Sequence, residues 1–152
     1  MKILLTGASG YIGKRLLPIL IDNGHEVVCC VRDIQRFNPP KSLRSKITII
    51  EVDLLEKKSL DNIPEDIDGA FYLVHSMTAS SNYLSLEKES AINFRNAINK
   101  TKAEHVVYLS GIINKTELSK HLSSRKNVER EISKGSYNLS LIHISEPTRL
   151  GM

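Results

Sequence analysis

The sequence predicts an α/β domain with a doubly wound parallel sheet, incomplete at its sixth strand. Three observations point there. A glycine-spaced turn, Gly7, Gly10 and Gly13, sits between an apolar run and a helical pattern at the amino end. Strand-like segments then alternate with segments of helical period, which builds parallel strands joined by right-handed crossovers. The stretch Glu26 to Val31 is a continuous apolar run bounded by turn residues, as in a strand covered on both faces.

Taken in order, the first strand is Lys2 to Thr6. A helix follows from about Tyr11 to Asn23, with Ile12, Leu16 and Leu20 as its buried stripe and Gly24 as the residue that ends it. Pro18 inside that helix lacks an N–H and predicts a mild kink. Arg32-Asp33 closes the second strand. Residues 34–45 carry Asn38-Pro39-Pro40 and read as a loop with a short helical turn. The third strand is Lys46 to Val52, ending at Asp53, and a short helix spans about Lys57 to Asn62. The fourth strand is Gly69 to Val74, running into His75-Ser76. The longest helix covers roughly Ser80 to Lys100, with Leu84, Leu86, Ala91, Phe94 and Ile98 near helical spacing. A fifth strand, His105 to Leu109, leads into Ser110-Gly111. A helix over about Leu118 to Ser133 ends at Gly135, and a sixth strand begins near Tyr137.

At 152 residues, with 41% hydrophobic and 25% charged residues, the chain suits one globular domain with its own core. The net charge of +4 is scattered among acidic residues and forms no basic block, so nucleic acid is not an expected partner. No apolar run reaches membrane-spanning length and no signal peptide is read, so the protein is expected in the cytoplasm and off the membrane. Cys29 and Cys30 are neighbours on a strand and point to opposite faces, which predicts buried thiols in a reducing compartment. No His, Cys or Asp cluster has metal-ligand spacing, so no metal is expected. No G-x-S-x-G elbow or Cys-His pair suggests a hydrolase.

The glycine turn carries the chemistry. Gly7 can take the positive φ of a tight strand-to-helix turn. Gly10 has no Cβ to keep a pyrophosphate off the backbone, and Gly13 lets the helix lie close against the strand. Ser9 lies in the same turn. The N–H groups of Tyr11 and Ile12 then face an anion at the positive end of the helix dipole. The spacing alone would be weak, but between a buried strand and an amphipathic helix it predicts a dinucleotide site.

Leu139 to Arg149, LSLIHISEPTR, resembles the in-frame translation of a transposon-type sequencing adapter, and Leu150 to Met152 reads as index sequence. The expected division is therefore a cofactor-binding domain at 1–138, truncated within its sixth strand, and a non-native tail at 139–152.

With TGASGYIG at its amino end, VRD at 31–33, VDLLE at 52–56, YLVHSM at 72–77, VVYLSGI at 106–112 and HLSSRKNVE at 121–129, the chain resembles the short-chain dehydrogenase/reductase superfamily. It is most similar there to the atypical, epimerase-like NAD(P)-binding branch that includes the nitrogen-metabolite-repressor-like group. The resemblance implies a Rossmann fold and a carboxy-terminal substrate region beyond the matched residues. It makes Gly7, Gly10 and Gly13 the pyrophosphate turn. Arg32 meets the adenosine ribose, where a guanidinium accepts a 2′-phosphate and leans the cofactor towards NADP; Asp33 beside it keeps NAD open. Asp53, with Leu54, is placed at the adenine, although Asp53 could equally cap the helix that follows it. Val74 and His75 lie beside the cofactor's middle.

Catalysis departs from the family pattern. The superfamily uses a Ser after the fifth strand and a Tyr-x-x-x-Lys pair on the next helix. This chain offers Ser110, but His121 and Arg125 stand at the paired positions. A guanidinium can hold a ribose yet cannot join a proton relay as Lys can, and His121 could act as a general acid. Lys126 lies about 100° round the helix from the required direction, and Tyr108 is inside a strand. Two functions follow: an oxidoreductase or epimerase-like enzyme with a small-molecule substrate, or a non-catalytic NADP sensor that binds a protein partner. Oligomerisation through the last two helices stays open.

Overall fold

The computed structural model describes residues 1–74, 82–110 and 118–143, with side chains from 123 to 142 in the last stretch. Its strands are β1 (Lys2–Thr6), β2 (Glu26–Val31), β3 (Ile47–Glu51), β4 (Gly69–Tyr72), β5 (His105–Ser110) and β6 (Asn138–His143). Its helices are α1 (Tyr11–Asp22), the single turn α2 (Lys41–Arg44), α3 (Tyr83–Asn99) and α4 (Leu118–Ser133). All pairings are parallel and the sheet order is β3-β2-β1-β4-β5-β6. The order reverses between β1 and β4, and at such a point the loops beyond the carboxyl ends diverge and leave a crevice.

Both faces of the sheet are covered. On one side α1 packs over Leu5, Val27, Cys29 and Val31; on the other, α3 and α4 pack over Leu4, Val28, Cys30, Tyr72 and Val106. Cys29 and Cys30 thus fall in different cores, as strand alternation requires. Burial pushes the Cys29 thiol up to about 12 and the Cys30 thiol further still.

The helices depart from expectation in instructive ways. The residues of α1 that are fully buried are Gly13, Leu17 and Leu20, while Ile12 and Leu16 flank this stripe. The helix turns Gly13 inwards because that residue meets the backbone of Gly7 and Ala8. Its end is a Schellman motif: Gly24 has φ +82°, its N–H bonds Ile21 O at 3.0 Å, and the His25 N–H bonds Leu20 O at 3.1 Å. Residues Lys57–Asn62 form a 3₁₀ helix rather than an α-helix, with Ser59 N–H on Glu56 O at 3.0 Å and Ile63 N–H on Leu60 O at 3.1 Å. A second 3₁₀ turn, Ile34–Arg36, follows β2.

On the far side, α3 and α4 are tied by Arg95 Nη1, 2.8 Å from Glu131 Oε2. Residues 139–143 occupy the sixth strand, Leu139 and Leu141 pairing with Val106 and Tyr108. The apolar alternation of that segment suits a sheet position whatever its origin.

Candidate cofactor-binding site

A cleft of about 880 Å³ opens at the carboxyl ends of β1, β2, β3 and β4, floored by the glycine turn and walled on one side by α3. Thr6 fixes its floor. The buried Thr6 hydroxyl donates to Phe71 O at 2.6 Å and accepts the Leu73 N–H at 3.4 Å, tying the exit of β4 to the exit of β1.

The turn has the predicted backbone. Gly7 has φ +76°, and Gly10 N–H bonds Gly7 O at 3.0 Å. A Cβ on Gly13 would lie 2.2 Å from Gly7 O, so only glycine lets α1 approach the turn this closely. A Cβ on Gly10 would meet only Gly7 O, at 3.3 Å, and would otherwise project into open space. The first bond of α1 runs from Lys14 N–H to Gly10 O at 2.9 Å. The N–H groups of Tyr11, Ile12 and Gly13 are therefore without acceptors within the helix. No side chain caps this end and no acidic residue lies in the first turn. Uncapped donors beside a glycine-lined cradle fit a pyrophosphate. Exposed Ser9 lines the same floor, and Tyr11 stands at the rim with the Arg15 guanidinium 3.6 Å above its ring.

The far end of the cleft is bounded by Arg32, Asp33, Arg36, Asp53 and Leu54. Asp53 does not cap the 57–62 segment, whose N-cap is Glu56. It closes its own turn instead, Oδ1 accepting the Leu55 N–H at 3.0 Å. Ser59 Oγ reaches back to accept the Asp53 N–H at 2.9 Å. Buried Asn93 on α3 donates to Leu54 O at 2.6 Å and so anchors this wall to the helix behind it. Val74 lines the middle of the cleft. His75 lies outside the described residues.

The expected reaction end is assembled less directly. Ser110 ends β5, is buried, and directs its hydroxyl towards Ile142 O at 3.4 Å; the cleft is lined from this strand by Leu109. Arg125 is partly buried on α4. His121 lies on the same helix, and its side chain is outside the described residues. Tyr108 is in the core, 5.8 Å from the Tyr72 ring. Burial pushes its hydroxyl well up, Glu87 adds to this, and Arg125 opposes it. That phenol is unsuited to proton transfer.

Arg36, Leu86 and Ser90 line the cleft without having been read as site residues in the sequence. Arg36 had a usable signal, a cation one short turn beyond the strand-end Arg32. Leu86 and Ser90 had none, because only the tertiary placement of α3 brings them there. Among the described residues, no group of three His, Cys, Asp or Glu could hold a metal, and no helix is long and apolar enough to cross a membrane.

The profile of a family described as NAD(P)H-binding matches residues 7–137. Among curated proteins, the chain is 27% identical over 114 residues to photosystem II assembly factor Ycf39 of Synechocystis, covering 72% of this chain and 33% of that protein. It is 31% identical over 85 residues to dihydroflavonol 4-reductase of Arabidopsis thaliana, covering 52% of this chain and 22% of that one. The chain thus spans a third or less of the length of these relatives. Among solved structures, a Citrobacter triphenylmethane reductase complexed with NADP(H) superimposes with a TM-score of 0.74 at 14% identity, covering 91% of this chain and 48% of that one.

Proposed function

The chain belongs to this NAD(P)H-binding family, and from that premise we propose that it is the cofactor-binding part of a reductase- or epimerase-like oxidoreductase that prefers NADP. The observation that carries the preference is the adenosine end of the cleft, where exposed Arg32 follows β2 directly. A guanidinium there matches a 2′-phosphate with two parallel hydrogen bonds. When bound, the nicotinamide cofactor supplies or accepts a hydride. The chain's residues do the rest. The N-terminus of α1 holds the pyrophosphate, Asp53 and Leu54 receive the adenine, and Val74, followed in sequence by His75, flanks the middle. At the reaction end the roles implied by the resemblance are orientation of a substrate oxygen for Ser110, proton transfer for His121 and a hold on the nicotinamide ribose for Arg125. The substrate is a small carbonyl, sugar or quinone-type molecule.

A second reading has one observation in its favour. The Tyr-x-x-x-Lys pair is replaced by His121 and Arg125, which suits a protein that binds NADP and reports on it to a protein partner. That one relative is an assembly factor and another a reductase is compatible with either reading.

Two measurements test these readings. Arg32→Ala should weaken NADPH binding about tenfold or more while leaving NADH within about twofold, the loss expected for a charge-assisted contact. Equal losses for both cofactors would remove the 2′-phosphate role. Tight NADPH binding with no oxidation by any of a broad carbonyl panel would favour the sensor.

A further inference from the structure

We propose that Glu87 is the positioning residue that holds the Arg125 guanidinium at the reaction end of the cleft. The inference rests on the reading above, in which Arg125 holds the nicotinamide ribose, and adds the group that fixes it there. Glu87 is 7% exposed, in the second turn of α3. It heads the row Glu87, Ala91, Phe94 and Ile98, the rest of which is apolar core. A carboxylate in such a row needs a cation or several donors to offset its lost hydration. The neighbouring positions Leu86 and Ser90 line the cleft, so Glu87 sits directly behind the cleft wall.

Arg125 lies near the same level of the adjacent helix. Both α3 and α4 follow a strand of the parallel sheet, so they run in one direction, and each begins at the carboxyl edge that holds the cleft. The contact of Arg95 Nη1 with Glu131 Oε2, at 2.8 Å, sets the register between them. Glu87 lies eight positions before Arg95, and Arg125 six before Glu131. A helical side chain leans towards the N-terminus of its helix, which brings the guanidinium closer to the level of Glu87. Two tyrosine hydroxyls feel these charges. Burial pushes the Tyr108 hydroxyl up, Glu87 adds to this and Arg125 opposes it. Burial and then Glu87 act upward on Tyr72 as well. The Tyr72 hydroxyl has no hydrogen-bond partner among the described residues, so it is not what holds the carboxylate. Neither Glu87 nor Arg125 is without a partner. Glu129, one turn along α4, is the other acid acting on Tyr108; it is only half-buried, where water screens its pull on a guanidinium. A guanidinium carries five N–H donors in a fixed fork. One edge bonded to Glu87 leaves the other for ribose hydroxyls and stops the long side chain from wandering.

Calorimetric titration of the full chain with NADPH and with 2′,5′-ADP, which lacks the nicotinamide half, reads the two ends of the cleft apart. Glu87→Gln keeps the shape of the side chain and removes its charge. It should weaken NADPH about tenfold and leave 2′,5′-ADP within about twofold. Arg125→Gln should do the same, and the double variant should lose no more than either single one, because the two residues act as a unit. Losses that multiply in the double variant, or a tenfold loss of NADPH in Glu129→Gln instead of Glu87→Gln, would overturn the pairing. So would a Glu87→Gln protein that binds NADPH normally. One that loses 2′,5′-ADP equally would make the carboxylate a support of the whole domain and end its positioning role. If Arg125→Gln itself binds NADPH normally, the ribose role of Arg125 fails and the proposal with it. That outcome is distinct from a silent Glu87→Gln beside a weakened Arg125→Gln, which ends the proposal alone.

Discussion

A methyl group added at Gly13 places a Cβ 2.2 Å from Gly7 O and 2.9 Å from Ala8 Cα, both of them backbone atoms that cannot swing aside. Relief requires α1 to move off the turn. Overpacking of this kind costs about 3 kcal/mol at its upper range, and alanine's better helix propensity offsets about 1 of that. A net loss of about 2 kcal/mol lowers the melting temperature by about 4–8 °C in a chain of this size. Gly10→Ala is the control. Its Cβ would meet only Gly7 O, at 3.3 Å, and Gly10 has φ −78°, open to any residue. That protein should melt within about 2 °C of the unaltered chain yet bind NADPH poorly, because the methyl stands in the cradle. Calorimetric scans of both ligand-free proteins, followed by NADPH titration, read the two effects separately. A Gly13→Ala protein that melts normally would show that the contact between α1 and the turn is not what demands glycine.

Two further outcomes follow from the packing. Although burial pushes the Glu131 carboxyl up, hydrogen bonds from Lys134 and Arg95 outweigh this and hold it below its ordinary range. A depressed carboxyl stabilises the fold fully above its unfolded value and loses that contribution as pH falls through the folded one. Glu131→Gln should therefore lower the urea midpoint at pH 7, and the gap should shrink towards about pH 3; an equal gap at both would mean the ion pair is not its source. Cys29 and Cys30, buried and held as thiols, should resist a thiol-reactive dye at pH 8 and both react in denaturant. A fast-reacting thiol in the native protein would contradict their burial.

What could be read from the sequence was mostly what is local. The bounds of β1, β2 and α4 agree with the residues that mark them, because apolar runs and breakers such as Gly24 and Gly135 act over a few positions. The Gly7, Gly10 and Gly13 turn was legible for the same reason: each glycine answers a demand set within its own segment. The orientation of α1 was not, since Gly13 must face the turn and thereby rotates Ile12 and Leu16 to the flanks. Nor was the type of the 57–62 helix, which depends on Ser59 reaching back to Asp53. The adenosine wall was half legible. Arg32 and Asp53 end strands and could be placed, whereas the tether from Asn93 to Leu54 joins positions 39 apart.

The strand order has a consequence for how such a chain assembles as it is made. Taken in chain order, β2 lies beside β1, and β3 lies on the free side of β2. β4 returns to the other side of β1, and β5 and β6 extend outward from there. Every strand arrives at an edge that already exists, and none has to be threaded between two partners already bonded to each other. Vectorial synthesis, which delivers amino-terminal segments first, therefore meets no step at which an early pairing must be undone. The glycine turn follows the central strand β1, so the anion cradle is held between β2 on one side and β4 on the other.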